Sequence, residues 1–174
     1  NEGTLDKIAG QIKKGDYLFI QFGHNDSSNT SGYIEDRHVP LGKPDAKGIF
    51  PVTGGKKVAT PASYADRYGS EFYGWESGTY KWFLKQYIDV ARKVGAIPVL
   101  VTPVSRLNFT GDSIRRDMHH DSTDKNSASQ PTSTGNAYCK AVEQLAKEEN
   151  VLFLDAFEIS AQLYETSRKA GKKY

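Results

Sequence analysis

The sequence predicts an α/β fold, in which a parallel sheet is enclosed between two layers of helices as a three-layer α/β/α sandwich. Short apolar runs alternate along the chain with longer segments whose apolar residues recur at helical spacing. The runs are too apolar for half-exposed strands and too short for typical helices, which is the pattern of buried parallel strands. Strands that alternate with helices are joined by right-handed crossovers, and this produces layers. At 174 residues the chain is long enough for one domain with a sizeable core.

The first helix is indicated by apolar residues three or four positions apart, namely Leu5, Ile8, Ala9 and Ile12. Thr4 is a candidate cap at its start, and Gly15 follows its end. The apolar run that begins at Tyr17 then predicts a buried strand that includes Phe19 to Phe22.

Residues 27–78 are rich in Gly, Pro, Ser and Tyr and show little periodicity, so they are interpreted as an elaborate loop. Residues 79–94 form an amphipathic helix that Gly95 ends, with Phe83, Leu84, Tyr87, Ile88 and Ala91 on one face. Residues 97–102 are a second buried strand. We expect Trp82 and Phe83 to pack the loop and the helix onto the sheet.

The carboxyl third begins with a second irregular region at residues 105–133, crowded with Ser, Asp, Thr and His. A helix over 135–149, a short strand over 151–154 and a final helix over 156–170 complete the alternation.

Composition excludes several classes of function. The net charge of +2 predicts no strongly charged partner, and the basic residues are spread along the chain, so nucleic acid is not an expected partner. No apolar run approaches the length of a membrane span. Cys139 is the one cysteine, which excludes an internal disulfide and a cysteine-based metal cluster.

The strongest candidate site is the polar cluster Gly23-His24-Asn25-Asp26, which follows the first predicted strand. Ligands of open α/β sheets bind at the carboxyl ends of the strands. The side-chain amide of Asn25 could donate to an oxygen that gains negative charge during acyl transfer. Alternatively, Asn25 and Asp26 could bond only to nearby backbone in an Asx turn. The residues alone leave both interpretations open.

The cluster resembles the Gly-x-Asn-Asp block of the SGNH (GDSL-like) hydrolase superfamily. Its flanks resemble the rhamnogalacturonan acetylesterase-like carbohydrate esterases. Matching stretches are Gly15-Asp16-Tyr17, Tyr87-Ile88-Asp89-Val90-Ala91-Arg92, Gly95-Ala96, Val99-Leu100-Val101-Thr102-Pro103-Val104, Glu148-Glu149-Asn150-Val151 and Leu163-Tyr164-Glu165. The resemblance covers nearly the whole chain outside the loops.

This resemblance implies a flavodoxin-like SGNH hydrolase fold and a serine esterase that removes acetyl groups from a pectin-type polysaccharide such as rhamnogalacturonan. It gives Asn25 the role of an oxyanion donor and implies no metal or organic cofactor. It also implies a secreted or cell-surface protein. The family's Gly-Asp-Ser nucleophile block and late Asp-x-x-His block would lie outside this chain. We therefore expect residues 1–174 to be a single domain that lacks its first strand and its catalytic carboxyl segment.

Further residues are candidates for substrate binding. His24 could border the substrate pocket or bond to the backbone and hold the turn. Asp26 is expected chiefly to orient the loop, and Gly23 to permit close packing or an unusual dihedral angle. Tyr73 and Trp75 could present their rings to sugar faces, or could simply pack the long loop.

Two short strings imitate the missing blocks. Gly111-Asp112-Ser113 spells the nucleophile block, and the segment from Asp117 to His120 spells Asp-x-x-His. The two lie close together in one polar loop without a preceding strand, whereas a triad needs its serine on a rigid turn and its histidine from another element. Adjacent His119 and His120 are interpreted as a solvated loop and not as a metal site.

A different class of function stays open beside the esterase. The chain could be a catalytically inactive carbohydrate-binding or scaffold domain derived from such an enzyme, which would bind sugar without turnover. A nucleotide-binding module is disfavoured because no Gly-rich phosphate loop follows a predicted strand.

Overall fold

The computed structural model of the protein describes residues 4–26, 39, 41–57, 76–116 and 136–171. Its elements in chain order are α1 (Thr4–Ala9), β1 (Tyr17–Gln21), β2 (Gly54–Lys57), β3 (Glu76–Gly78), α2 (Tyr80–Val94), β4 (Ile97–Val101), β5 (Phe109–Thr110), β6 (Ser113–Ile114), α3 (Ala137–Glu149), β7 (Leu152–Leu154) and α4 (Ala156–Lys169). The predicted helices and parallel strands are therefore present with small changes in their bounds. The first helix is shorter than predicted, since Ile12 lies beyond its end.

The central sheet is parallel and has the order β1-β4-β7. Tyr17 pairs with Ile97 and Gln21 with Val101, so β1 and β4 run side by side over their full lengths. On the other side of β4, Val99 pairs with Leu152. Consecutive strands thus step across the sheet in one direction through helical crossovers, and the predicted α/β class with a parallel sheet is confirmed.

Helices α2 and α3 pack on each other and on β4. They cover the sheet face that carries Ile20 and Leu100, which face the same way because they are paired in register. The core cluster on this face is Ile20, Leu41, Phe50, Tyr80, Leu84, Ile88, Leu100, Ala137, Tyr138, Ala141, Val142, Leu145 and Ala146. Gly95 ends α2 as predicted, with a φ of 77° and its N–H bonded to carbonyl oxygens of the last turn.

The prediction of a fully buried first strand is wrong. Ile20 is 2% exposed, but Phe19 is 62% and Tyr17 60% exposed. Successive side chains of a strand point to opposite faces, and only the Ile20 face of β1 meets helices α2 and α3. Within the described residues β1 and β7 are the edge strands, and their second-face side chains have a neighbouring strand on one side alone. Val99 of the central strand has neighbours on both sides and is 5% exposed.

The two irregular regions contain short antiparallel pairs that the sequence did not predict. Strands β2 and β3 pair across the first region, and β5 and β6 form a hairpin in the second. Trp82 packs against the β2–β3 pair: a Cβ atom placed on Gly54 or Gly78 would meet the indole at 2.4 Å. The predicted packing of Trp82 between the long loop and its following helix is confirmed, and the two glycines leave the space that its ring fills. Packing of Trp82 and Phe83 onto the central sheet stays a prediction.

An ion-pair network holds the β5–β6 hairpin on helix α4. The Arg116 guanidinium donates to Glu158 through Nε at 2.8 Å and to Glu165 through Nη1 at 2.8 Å. Glu165 also accepts from the backbone N–H of Ile114 at 2.7 Å. These bonds lower the pKa of both glutamates, with the Arg116 hydrogen bond the largest cause in each. The segment after β4 is thereby fixed to α4 at its far end.

Candidate functional site

The polar cluster lies at the carboxyl edge of the sheet, as predicted. Strand β1 ends at Gln21 and the neighbouring β4 at Val101, so the segments that follow them leave the sheet side by side. The Gln21 side chain donates to the carbonyl oxygen of Thr102 at 3.1 Å. Residues 23–26 therefore face residues 102–106.

Gly23 occupies a backbone position that excludes other residues. Its φ is +99°, and a Cβ atom there would lie 2.6 Å from the Tyr80 hydroxyl oxygen. That hydroxyl donates to the carbonyl oxygen of Phe22 at 2.8 Å and is buried. Burial, with the nearby Asp26 charge as a second cause, raises the pKa of Tyr80, which keeps the hydroxyl a donor. Both expected reasons for a glycine, close packing and an unusual dihedral angle, hold at this position.

Asp26 is tied to the backbone of the following loop. Its Oδ1 accepts from the Val39 N–H at 3.2 Å, and the Tyr138 hydroxyl bridges the carbonyl oxygens of Asp26 and Val39 at 3.3 and 2.7 Å. Burial raises the pKa of Asp26 to about 6, although backbone N–H bonds oppose the rise. This geometry fits an orienting role; contact between Asp26 and a substrate stays a prediction.

His24 also bonds to backbone. Its ring is hydrogen-bonded to the backbone of Val104, and burial, followed by the charge of Arg106, lowers its pKa. A neutral, partly buried ring that is tied to the neighbouring segment holds the turn together. Its contact with a substrate likewise stays a prediction.

Asn25 is the exposed member of the cluster. Its Oδ1 accepts a hydrogen bond from Arg106 Nη2 at 2.7 Å, and the same nitrogen lies 3.3 Å from the carbonyl oxygen of His24. The described bond of the Asn25 side chain is therefore to another side chain across the sheet edge, which an Asx turn does not explain.

Sequence reasoning missed Arg106, which lies in a region interpreted only as irregular. A signal was present, because Arg106 follows the end of β4 by five residues and Asn25 follows the end of β1 by four. Parallel neighbouring strands end at the same edge, so residues at similar offsets can meet there.

A second group of residues, which sequence reasoning also missed, joins this edge of the sheet to the start of helix α4. The Thr102 hydroxyl donates to Asp155 Oδ1 at 2.9 Å and accepts from the Phe157 N–H at 2.9 Å. Asp155 caps helix α4 by accepting from the Glu158 N–H at 3.2 Å. Thr102 is 1% exposed, so the start of α4 is fastened to the end of β4 inside the protein.

The remaining sequence candidates belong to the β5–β6 hairpin or lie outside the described residues. Tyr73, Trp75 and the segment from Asp117 to His120 lie outside the described residues. Gly111 and Asp112 form the turn of the β5–β6 hairpin, and Ser113 is exposed on β6. Asp112 Oδ1 lies 3.5 Å from Arg168 Nε. This hairpin is not the strand-to-helix turn on which a nucleophilic serine of an α/β hydrolase sits.

Metal-binding groups and membrane-spanning helices are both absent from the described part of the chain. Within it, no three His, Cys, Asp or Glu side chains are grouped so that they could hold a metal ion. None of the helices described is both long and apolar enough to cross a membrane.

The fold and the cluster together define an α/β protein that presents a fixed side-chain amide at the carboxyl edge of a parallel sheet. Two known proteins are similar to this chain over nearly its whole length. The chain is 30% identical over 173 residues to the probable rhamnogalacturonan acetylesterase YesY of Bacillus subtilis, covering 99% of this chain and 54% of the relative. It is 31% identical over 164 residues to the rhamnogalacturonan acetylesterase RhgT of the same organism, covering 94% of this chain and 46% of the relative.

These similarities confirm the predicted relationship to rhamnogalacturonan acetylesterases. The chain spans about half the length of these curated relatives. No family profile matches it. Among solved structures, the crystal structure of protein YXIM_BACsu from Bacillus subtilis has 20% sequence identity and a TM-score of 0.48 to this chain. The alignment covers 98% of this chain and 33% of the YXIM_BACsu chain.

Proposed function

We propose that this chain forms part of a serine esterase that removes acetyl groups from a pectin-type polysaccharide of the rhamnogalacturonan class. The observation that carries the proposal is the exposed Asn25 amide, whose carbonyl oxygen is occupied by Arg106 at 2.7 Å. With Oδ1 held in this way, the Nδ2 donors lie on the side of the amide away from Arg106, and we assign to them the bond to a ligand. The similarity to two rhamnogalacturonan acetylesterases supports the same substrate.

The chemistry follows from where charge develops. When a hydroxyl nucleophile attacks the acetyl carbonyl, the carbonyl oxygen becomes negative, and a donor already in place lowers the barrier. One such donor is typically worth about 2.7–4 kcal/mol of transition-state stabilisation. We assign this part to Asn25, and we assign the nucleophile and its general base to none of the described residues. The bond from the acetyl carbon to the sugar oxygen then breaks, and the sugar hydroxyl leaves with the proton that the nucleophile has lost. Water hydrolyses the resulting acyl-enzyme to acetate, and the sequence requires no metal or organic cofactor.

The substrate bears on two further expectations. A pectin-type polysaccharide is a large polymer that stays outside cells, which supports a secreted or cell-surface location for the protein. Tyr73 and Trp75 are proposed to contact sugar rings, since aromatic faces suit such rings and the two lie close together in the sequence. Gly23, His24 and Asp26 shape the edge from which Asn25 reaches the acetyl group.

The test is acetate release from acetylated rhamnogalacturonan, with chemically deacetylated polymer as the blank. The assay uses the protein at its natural length, which is identified by its intact mass. The 174 residues alone have a mass of 19.3 kDa. We expect Asn25→Ala to lower kcat by about 10²–10³-fold. Asn108→Ala, at an exposed asparagine near the β5–β6 hairpin, is the matched control and should retain activity.

Two results would contradict the proposal. Full activity in Asn25→Ala would remove Asn25 from the reaction. Binding of the polymer by the wild-type protein without any release of acetate would support the inactive carbohydrate-binding domain instead.

A further inference from the structure

We infer that Arg106 is a positioning residue for the reaction: it sets the orientation of the Asn25 amide so that Nδ2, and not Oδ1, faces the acetyl oxygen. The inference rests on the proposed function for its catalytic consequence, but the orientation itself is a property of the described contacts.

The carbonyl end of the Asn25 amide is the end that meets Arg106. A guanidinium group has donors and no acceptor, so only the carbonyl end of an asparagine side chain can bond to it. The 2.7 Å separation between Nη2 and Oδ1 is that of a charge-assisted hydrogen bond. The reversed amide would place NH₂ against the guanidinium and is therefore excluded by charge.

Arg106 is held both at its guanidinium group and through the backbone that precedes it. The same Nη2 atom also donates to the His24 carbonyl oxygen at 3.3 Å, so one nitrogen spans two adjacent acceptors of the cluster. The preceding residue, Ser105, is 4% exposed, and its N–H donates to Ser160 Oγ of α4 at 2.9 Å. Arg106 thus leaves a backbone segment that is fastened to a helix.

The backbone on both sides of Asn25 is held in place. The backbone before Asn25 is held by the bond from Tyr80 to Phe22, and the backbone after it by the bond between Asp26 and Val39. The side-chain torsion of an exposed asparagine stays free to rotate even when its backbone is fixed. Among the described residues, Arg106 constrains that torsion, and its charge polarises the amide so that Nδ2–H becomes a better donor.

The experiment is a double-mutant cycle between Asn25 and Arg106, followed by acetate release. Arg106→Met removes the donors while keeping a long side chain. We expect it to lower kcat about tenfold with KM changed less than twofold, because it affects a donor used mainly in the transition state. Arg106→Lys should recover most of the loss. Arg115→Met, at an exposed arginine on the same segment, is the matched control.

The decisive comparison is made in the Asn25→Ala background. If Arg106 acts through Asn25, then Arg106→Met has no further effect on kcat there. A tenfold loss in both backgrounds would overturn the inference, since Arg106 would then act independently of Asn25.

A second readout separates this inference from the proposed function. Selective ¹⁵N labelling of asparagine gives side-chain amide signals, and the Asn25 pair is assigned by its loss in Asn25→Ala. We expect Arg106→Met to shift and broaden that pair, and Arg115→Met to leave it in place. An Asn25 pair that is unchanged in Arg106→Met would overturn the orientation, whether or not the protein releases acetate.

Discussion

Replacing Gly23 with alanine tests the backbone geometry on which the candidate site is built. The new methyl group would lie at a φ of +99° and 2.6 Å from the Tyr80 hydroxyl oxygen. Two separate penalties follow, one from the backbone conformation and one from the contact. The chain offers a control for the first of them.

The magnitudes can be estimated from this geometry. A residue with a Cβ atom at positive φ costs about 1–2 kcal/mol. Overpacking at a buried position adds about 1–3 kcal/mol. If Tyr80 moves aside instead, the carbonyl oxygen of Phe22 loses its partner, at a similar cost of about 1–3 kcal/mol. We therefore expect Gly23→Ala to lower the free energy of unfolding by about 2–5 kcal/mol.

Gly15→Ala is the matched control, because Gly15 has a φ of +88° and no atom within 4 Å of the position of a new Cβ. It carries the backbone penalty alone, about 1–2 kcal/mol. The effect of alanine on the unfolded chain is common to both variants and cancels in their difference. Urea denaturation of the wild type, both variants and Gly23→Ala/Tyr80→Phe measures the four free energies of unfolding.

Two outcomes would refute the reasoning. One is a cost for Gly23→Ala that equals the cost for Gly15→Ala, which would mean that the hydroxyl does not fill the space beside Gly23. The other is strict additivity of Gly23→Ala and Tyr80→Phe. Removing the hydroxyl relieves the contact, so the double variant should cost at least about 1 kcal/mol less than the sum of the single ones.

Two further predictions concern the groups around the site. Thr102→Val keeps the shape of the side chain but removes the hydroxyl that accepts from the Phe157 N–H and donates to Asp155, so we expect a loss of about 1–3 kcal/mol in urea denaturation. Thr110→Val, at an exposed threonine, should be close to neutral, and equal losses in the two variants would contradict the fastening of α4 to β4. The pKa of Asp26 is raised from 3.8 to about 6, so its contribution to stability is fully present below its ordinary pKa and is lost as the pH rises through about 6. This pKa change corresponds to about 3 kcal/mol in the free energy of unfolding. Asp26→Asn should therefore flatten the pH dependence of that free energy between about pH 4 and about pH 7, whereas Asp6→Asn, at an exposed aspartate of α1, should preserve it.

The helices and the parallel strands could be predicted from local pattern. Leu84, Ile88 and Ala91 recur at helical spacing and are buried, and Gly95 ends their helix in a left-handed conformation. Periodicity and caps are local properties, so a single sequence contains them. The position of Asn25 at the carboxyl edge follows from the same pattern, because polar residues begin where the apolar run stops.

The environment of that edge could not be predicted in the same way. Arg106 meets Asn25, and Thr102 meets Asp155, across separations of 81 and 53 residues. Neither pair has a periodic signature, since each contact depends on which strands are neighbours and on where their following loops turn. The short β2–β3 and β5–β6 pairs were missed for a related reason: strands of two to four residues are too short to show alternation.

The burial of side chains on the two faces of β1 could not be predicted from the local sequence. The apolar run from Tyr17 to Phe22 is in the sequence, and with it the existence of a strand and the polar cluster that follows. Whether Phe19 is covered depends on which elements lie against that face, and in the described residues it is 62% exposed while Ile20, next to it, is 2% exposed. Local hydrophobicity selects a strand because it is a property of adjacent residues, whereas coverage and the orientation of Asn25 depend on distant segments brought together by packing.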